Sequence, residues 1–332
     1  MQNKVIFIAW SAYSRRSQLI AEQLGIPLFL IHALRRRYFL APLRYLLQAI
    51  RTLLLLVRER PAMTFVQNPP ILLALLVYLY TRLLGGAYVI DSHTGALLAP
   101  WWRWSLPLHA FLSRRARATL VTNDHLAALV RRWGAPVYIV PDIPADFPAG
   151  SAFPVAAGFS VAVINTFSPD EPVAELLQAA AALPAVTFYI TGDPIRANAR
   201  DLRQAPPNVH FTGFLPDAQY IGLLRAVQGV VVLTTDNHTM QRGACEALWL
   251  GQPLLISDWP FLRRYFHKGA VYTANTSAEI QAGIQRLHEA LPQLKADIGR
   301  LQQERRAAWT ADYARLRELC DQSHLAQSVL GD

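Results

Sequence analysis

The sequence predicts an α/β protein made of two doubly wound, Rossmann-like halves. Three observations predict it. Short apolar runs alternate with longer helical stretches, which is the layout of parallel strands joined by crossover helices. The alternation stops between Asp142 and Phe159, where Pro144, Pro148, Gly150 and Pro154 punctuate a segment without helical period, and then it restarts. A hydrophobic fraction of 52% against 17% charged residues supplies apolar side chains for two cores in 332 residues.

In the first half, Lys4–Trp10 is a short, continuous apolar run suited to a strand buried on both faces. Gln18–Leu24 is helical and closed by Gly25, Pro27–Ile31 is a strand, and Leu40–Arg60 is a long helix stopped by Pro61. Thr64–Gln67 is a strand closed by Asn68-Pro69-Pro70, and a helix follows to Gly85-Gly86. Ala87–Asp91, Ala118–Thr122 and Val137–Val140 complete the sheet. In the second half, the strands are Val161–Ile164, Thr187–Thr191, Val209–Thr212, Gly229–Leu233, Leu254–Ser257 and Ala270–Thr273. Helices are expected over Val173–Leu183, from Ala218, and up to Leu250. Ile284–Gln322 is charged and helical with no strand after it. The expected division is 1–150, 151–305 and a terminal helix 306–332 packed back on the first domain, with a cleft between the two halves.

Charge is one-sided. The net of +9 arises wholly in residues 1–150, which hold 17 Lys and Arg against 6 Asp and Glu; residues 151–332 hold 15 against 17. Such a half suits an anionic partner. Cys245 and Cys320 have neither metal spacing nor a disulfide framework and fit a reducing cytoplasm. The run Val5–Trp10 is too short for a signal peptide, and Leu53–Val57 and Ile71–Tyr80 fall short of the roughly 20 apolar residues of a span. These stretches are core or interfacial helices.

The chemistry concentrates in Val230–Ser257. A buried strand runs into the polar loop Thr234–Thr239, and Met240–Leu250 follows as a helix with Thr239 as its N-cap and Gly251 as its C′ residue. A helix starting at the carboxyl end of a strand aims free N–H groups at an anion. Gly243 in its first turn allows close approach of a ligand, Arg242 adds a cation, and Glu246 is placed to accept hydrogen bonds from a ribose diol. The alternative for Glu246 is a solvated position on an amphipathic helix, although Ala247, Leu248 and Leu250 leave little polar face there.

The run Glu246-Ala247-Leu248-Trp249-Leu250-Gly251-Gln252-Pro253 resembles the E-A-x-x-x-G-x-P signature of GT-B glycosyltransferases of the family 4 kind. Three further segments agree in order and spacing. Asn165–Pro172 resembles the loop after the first strand of the donor domain in the chitobiosyldiphosphodolichol β-mannosyltransferase family. Thr191-Gly192-Asp193-Pro194 resembles the family 4 x-G-x-G-P turn, and Phe211-Thr212-Gly213-Phe214-Leu215 its F-x-G-x-L segment. The resemblance implies a GT-B fold, a UDP-sugar or GDP-sugar donor, and Glu246 on its ribose. It also implies a donor site that includes Asn165, Thr166, Gly192, Asp193, Gly213, Phe214, Leu215, His238, Thr239, Met240, Gln241, Arg242 and Gly243.

Retaining members carry a second Glu eight residues before the ribose Glu, where this chain has His238, and basic residues where Asp170–Leu183 has none. Both departures favour inverting transfer of a hexose, with the diphosphate held by helix N–H groups, Thr166 and Arg242. Inversion needs a base for the acceptor hydroxyl. Asp91-Ser92-His93 ends the fourth strand and resembles the D-x-H of the mannosyltransferase pattern, with Asp91 orienting His93 or acting itself. The plain alternative is a capping Asp and a packed ring. Asp124 is more simply a helix N-cap than a catalyst. Ser11, Tyr13, Arg15 and Arg16 follow the first strand on the acceptor side, where the two arginines could grip a lipid pyrophosphate.

Arg35-Arg36-Arg37-Tyr38-Phe39 opens a helix in which Arg44, Arg51, Arg58 and Arg60 punctuate leucines. With Trp101, Trp102 and Trp104 this suggests an anionic membrane surface and a lipid-linked or cell-envelope glycan acceptor, the protein lying peripherally on the inner face of the plasma membrane. The alternative places the leucines in the core and the arginines in water. No metal motif is visible, so activity without metal is expected. Rival readings are a nucleotide-sugar epimerase using Asp170 and Glu171, or a non-catalytic nucleotide-sugar-binding protein. Nucleic acid is excluded for want of an aromatic–basic stacking platform.

Overall fold

The computed structural model describes residues 4–34 and 40–321, with backbone only for Ala199 and Arg200. The expected basic cluster Arg35–Arg37 lies outside the described residues. The chain divides into two compact units, one running to Ile143 and resuming at Ala308, the other Pro144–Ala307.

The first unit contains β1 (Val5–Ala9), α1 (Arg15–Leu24), β2 (Leu28–Leu30), α2 (Ala41–Glu59), β3 (Met63–Asn68), α3 (Ile71–Leu84), β4 (Ala87–Ser92), α4 (Thr94–Leu98), α5 (Leu106–Ser113), β5 (Ala118–Val121), α6 (Asp124–Arg132) and β6 (Val137–Ile139). All strands are parallel in the order β2-β1-β3-β4-β5-β6. Phe65 pairs with Phe7 on one side and Val89 on the other, and all three are fully buried. Helices covering both faces explain why the strands are continuous apolar runs. Ser14 caps α1 by accepting from Ser17 N–H, and Gly25 closes it in the left-handed region. The cap of α6 is Asn123, whose Oδ1 accepts from Leu126 N–H at 3.0 Å, not Asp124 as expected. Asp124 is instead the first-turn acid.

The long helix α2 meets the core-facing alternative in part: Leu56 is buried, Tyr45, Ala49 and Leu55 pack on the core, and Arg51 and Arg58 are exposed. Its buried residues are Gln48, Thr52 and Leu56. Gln48 Nε2 donates to Ile31 O, and Thr52 Oγ1 accepts from buried Trp10 Nε1 at 2.8 Å while donating to Gln48 O. Leu43, Leu46, Ile50, Leu53, Leu54 and Val57 are exposed. Trp101 and Trp104, in the 3-10 helix Pro100–Ser105, are exposed as well. No helix among the described residues is long and apolar enough to cross a membrane.

The second unit contains β7 (Phe159–Val163), α7 (Val173–Ala181), β8 (Val186–Thr191), α8 (Ala199–Arg203), β9 (Val209–Gly213), α9 (Asp217–Ala226), β10 (Gly229–Val232), α10 (Arg242–Trp249), β11 (Leu254–Ser257), α11 (Pro260–Tyr265), β12 (Ala270–Thr273) and α12 (Ser277–Glu289). Its strands are parallel in the order β12-β11-β10-β7-β8-β9. The chain builds outward from β7 through β8 to β9, then returns to the other side of β7 with β10. The topological switch point therefore lies between β7 and β10.

The charged C-terminal stretch is two helices rather than one. α12 ends at Glu289, and α13 (Leu291–Asp321) begins after Ala290. Pro292 has no N–H to continue the ladder and suits a first turn. α13 passes from the second unit to the first at Ala307. Within the first unit its Trp309 Nε1 donates to Gln23 Oε1 on α1 at 3.2 Å.

Candidate functional site

In open α/β sheets, ligands bind outside the carboxyl ends of the strands at the switch point. In the second unit two loops flank that point, Ile164–Pro172 after β7 and Leu233–Gln241 after β10. Asp170 ties them together. Its Oδ2 accepts from Thr234 Oγ1 at 2.7 Å, and its backbone carbonyl accepts from Thr235 N–H at 2.7 Å. Thr234 is itself fixed from behind: its N–H donates to Ser257 Oγ, and its carbonyl accepts from Trp259 Nε1 and Asn275 Nδ2. The sequence singled out none of Thr234, Ser257, Trp259 and Asn275, which are spread over three elements and share no local pattern.

α10 starts beside these loops, but later than expected. Its first residue is Arg242 and its cap position is Gln241, so Thr239 and Met240 lie in the loop before it. No side chain caps its first turn and no acid sits there, so the leading N–H groups and the helix dipole remain available to an anion. Gly243 has a packing reason. A Cβ there would meet the Ile164 side chain at 2.7 Å, so the glycine lets α10 seat against the end of β7. Gly251 closes the helix at φ +72°, as expected.

Glu246 is buried, with 8% of its surface exposed, against the solvated alternative. Its Oε2 accepts from Tyr220 Oη on α9 at 2.7 Å, and Oε1 lies 3.5 Å from Arg242 Nε one turn earlier. Tyr220 is a further candidate residue. No sequence signal marked it, because it meets Glu246 only through the fold.

The remaining predicted donor residues divide. Asn165 folds its own turn, with Oδ1 accepting from Phe167 N–H at 2.6 Å and Phe167 held at φ +56°. Thr166 corrects an expectation. Its N–H and hydroxyl both donate to the Glu171 carboxylate, which also accepts from Ser168 N–H. It is thus a loop brace, not a free diphosphate donor. Burial pushes the Glu171 carboxyl up, against the loop N–H groups that favour its charged form. Gly192 sits at φ +102°, where a Cβ would fall 2.3 Å from Asn165 O, so the β8 turn must be glycine to pass the β7 loop. Asp193 caps the following 3-10 turn through Ile195 N–H. Gly213, at φ +73°, accepts from Gly192 N–H, and the next residue Phe214 is 82% exposed. Leu215 and His238 are half-buried. A hollow of about 310 Å³ opens nearby, lined by Phe167, Ser168, Glu171, Arg196, Asn198 and Asp201. None of the predicted donor residues lines it.

In the first unit, Asp91 ends β4 fully buried. Arg16 Nε lies 2.9 Å from Oδ1 and 3.2 Å from Oδ2, and His93 Nε2 is 3.4 Å from Oδ2. Burial alone would raise the Asp91 carboxyl, but Arg16 and His93 more than offset it and hold it below the usual carboxylate range. Arg16 is buried on this carboxylate, which corrects its placement as a grip for an acceptor pyrophosphate. Its neighbour Arg15 lies over the exposed Tyr13 ring, and Ser11 Oγ donates to Gln67 Oε1. One strand residue further on, Ser92 Oγ lies 2.8 Å from His109 Nε2, and Asn68 Nδ2 approaches both. The sequence did not single out this cluster. It is sealed: all three side chains are buried, and burial drives His109 down to about 4, so it is a neutral packing element and not a nucleophile system.

Among the described residues no group of three or more His, Cys, Asp or Glu could hold a metal ion. Residues 171–321 match the family model described as "Glycosyl transferase-like". Among curated proteins none is significantly similar in sequence. The sucrose-phosphate synthase of Thermosynechococcus elongatus superposes with a TM-score of 0.72 at 13% identity, covering 97% of this chain and 100% of that one. HepE of Anabaena, solved with UDP-glucose, gives 0.72 at 14%, covering 97% and 99%. A putative UDP-N-acetylglucosamine 2-epimerase from Listeria monocytogenes gives 0.58 at 10%, covering 95% and 98%. The protein has the GT-B fold, and its residues 171–321 have the sequence pattern of a glycosyl transferase-like family.

Proposed function

We propose that the protein is an inverting, metal-independent glycosyltransferase that moves a hexose from a UDP- or GDP-sugar to the hydroxyl of a lipid-linked or cell-envelope glycan. It works in the cytoplasm, peripherally on the inner face of the plasma membrane. The observation that carries the reading is Glu246. A buried carboxylate, oriented by Tyr220, stands one turn into a helix whose uncapped N-terminus opens at the switch point. The carboxylate accepts from the ribose diol, and the helix N–H groups hold the diphosphate in place of a cation. The UDP-glucose bound to HepE supports a nucleotide-sugar donor on this fold.

His93 is the base of this scheme. Directing Nε2–H at Asp91 leaves Nδ1 to take the proton of the acceptor hydroxyl. The acceptor oxygen bonds to the anomeric carbon, the bond from that carbon to the phosphate oxygen breaks, and the nucleoside diphosphate leaves with the electron pair. The loop Asn165–Pro172 and the Asp91-Ser92-His93 run resemble the β-mannosyltransferase pattern, which supports the inverting reading. The epimerase reading is weaker because both its candidate carboxylates are engaged, Asp170 by Thr234 and Glu171 by its own loop. The test is nucleotide release from a panel of nucleotide sugars, with and without lipid-linked acceptors. Acceptor-dependent release is expected. Binding without release across the panel overturns transfer, and acceptor-independent interconversion of the sugar restores the epimerase.

A further inference from the structure

The helix α2 turns its greasiest side to solvent. At roughly 100° per residue, Leu43, Leu46, Ile50, Leu53, Leu54 and Val57 fall on one stripe about 100° wide. All six are exposed, Leu54 at 67%. The opposite side is packed inward: Gln48, Thr52 and Leu56 are buried, and Tyr45, Ala49 and Leu55 pack against the same core. The helix thus carries a second apolar stripe beyond the one it buries, where a helix of a doubly wound domain ordinarily leaves a polar face to water. The inward polar groups are satisfied locally through Ile31 O and Trp10 Nε1, so the orientation is built and not a misfit.

The stripe is bordered by cations. Arg44, Arg51 and Arg58 project along one flank by the same helical spacing, and Arg60 follows at the helix end. Arg51 donates to the His32 carbonyl, and the Arg58 side chain is almost fully exposed. The one acid of α2, Glu59, pairs with Lys4 and lies 3.5 Å from Arg58 Nε. The C-terminal ends of α2 and α3 meet, Tyr80 Oη donating to Leu56 O, and Leu79, Leu83 and Leu84 of α3 are exposed beyond that point with Arg82 among them.

We propose that this face of α2 is an in-plane docking surface for an anionic lipid bilayer, the leucine stripe entering the acyl boundary and the flanking arginines meeting lipid phosphates. Charge complementarity selects this occupant over a second copy of the chain, since a like-charged arginine border would face itself in a symmetric dimer. The inference deepens the membrane-surface part of the proposed function and rests on it only there; the donor site is in the other unit.

The test is co-sedimentation of the full chain with vesicles, without any nucleotide sugar. Mixed phosphatidylglycerol–phosphatidylcholine vesicles are compared with phosphatidylcholine alone. The protein is expected to bind the anionic vesicles, more weakly as salt is raised, and Leu46→Glu/Leu54→Glu lowers binding by roughly tenfold or more. Arg51→Gln/Arg58→Gln gives a second, milder loss that does not depend on the glutamate variant folding. Circular dichroism and the nucleoside-diphosphate thermal shift of each variant separate loss of docking from loss of fold or of the donor site. Binding unchanged by both variants overturns the proposal. So does a lipid-free dimer, seen by sedimentation velocity, that Leu46→Glu/Leu54→Glu dissociates, which would assign the face to a second copy.

Discussion

Tyr220 on α9 donates its phenolic hydrogen to Glu246 on α10 at 2.7 Å, and so fixes one oxygen of a carboxylate that is mostly buried. The other oxygen lies 3.5 Å from Arg242 Nε, a loose pairing that a diol hydroxyl can replace. Glu246→Gln keeps the shape and removes the charge. It is expected to weaken nucleoside-diphosphate-sugar binding by roughly tenfold to a hundredfold, the worth of one or two charge-assisted hydrogen bonds. Tyr220→Phe leaves the carboxylate charged but less fixed, and about a threefold to tenfold loss is expected. Calorimetric titration with UDP and GDP measures both and identifies the base. Equal binding by wild type and Glu246→Gln would remove Glu246 from the donor site.

The turn after β8 gives a contrast between two glycines. Gly192 combines φ +102° with an approach that would put a Cβ 2.3 Å from Asn165 O; Gly213 has φ +73° and open space around it. Gly192→Ala is therefore expected to cost about 2–4 kcal/mol and to displace the Asn165–Phe167 turn. Gly213→Ala pays only the left-handed backbone, about 1–2 kcal/mol. Urea unfolding of the two variants checks the order. A smaller loss for Gly192→Ala would contradict the close approach of the two loops.

Strands and helix ends with glycine were legible in the sequence because their causes are local. A strand buried on both faces must be a continuous apolar run, so β1, β4 and β10 were recognisable within a residue or two, and Gly25 and Gly251 marked their helix ends. The ribose candidate Glu246 was legible through a motif. What was not legible depends on partners far along the chain. Thr239 has the right residue type for a cap, but the loop runs on to Gln241 because Asp170 and Trp259 hold its start. The packing of Gly243 on Ile164 was not legible either, because the two are far apart along the chain. The direction of α2 could not be read because apolar residues lie on both its faces; the bonds of Thr52 to Trp10 and Gln48 to Ile31, with Tyr45 and Leu55 in the core, show which side goes in.

The buried Arg16–Asp91 pair makes a prediction about its two members. Arg16→Met leaves a fully buried carboxylate with His93 alone, and is expected to cost about 3–5 kcal/mol. Arg16→Met/Asp91→Leu removes both charges and should recover a good part of that loss, a non-additivity that a double-mutant cycle in urea measures. Additive losses would mean the pair is not coupled. If the proposed transfer runs through His93, Asp91→Asn is expected to keep donor affinity and lower kcat, because His93 loses its orienting partner.

His109 gives the pH dependence of stability. Burial lowers it from 6.5 to about 4, opposed by the hydrogen bond to the Ala96 carbonyl, while Ser92 Oγ sits against Nε2. The folded protein therefore holds His109 neutral where the unfolded chain, with a histidine pKa near ~6.5, binds a proton. Between these two values the unfolded state carries more protons, so stability falls as pH drops from 6.5 toward 4, by about 3 kcal/mol in all. Asp91 is lowered from 3.8 and loses its stabilising effect only below that value, so the two windows separate. His109→Gln, which cannot titrate, is expected to be less stable than wild type at pH 7.5 but to show a flatter stability curve from pH 6.5 to 4. Urea midpoints across that range decide it. An unchanged slope in His109→Gln would place the acid sensitivity on other groups.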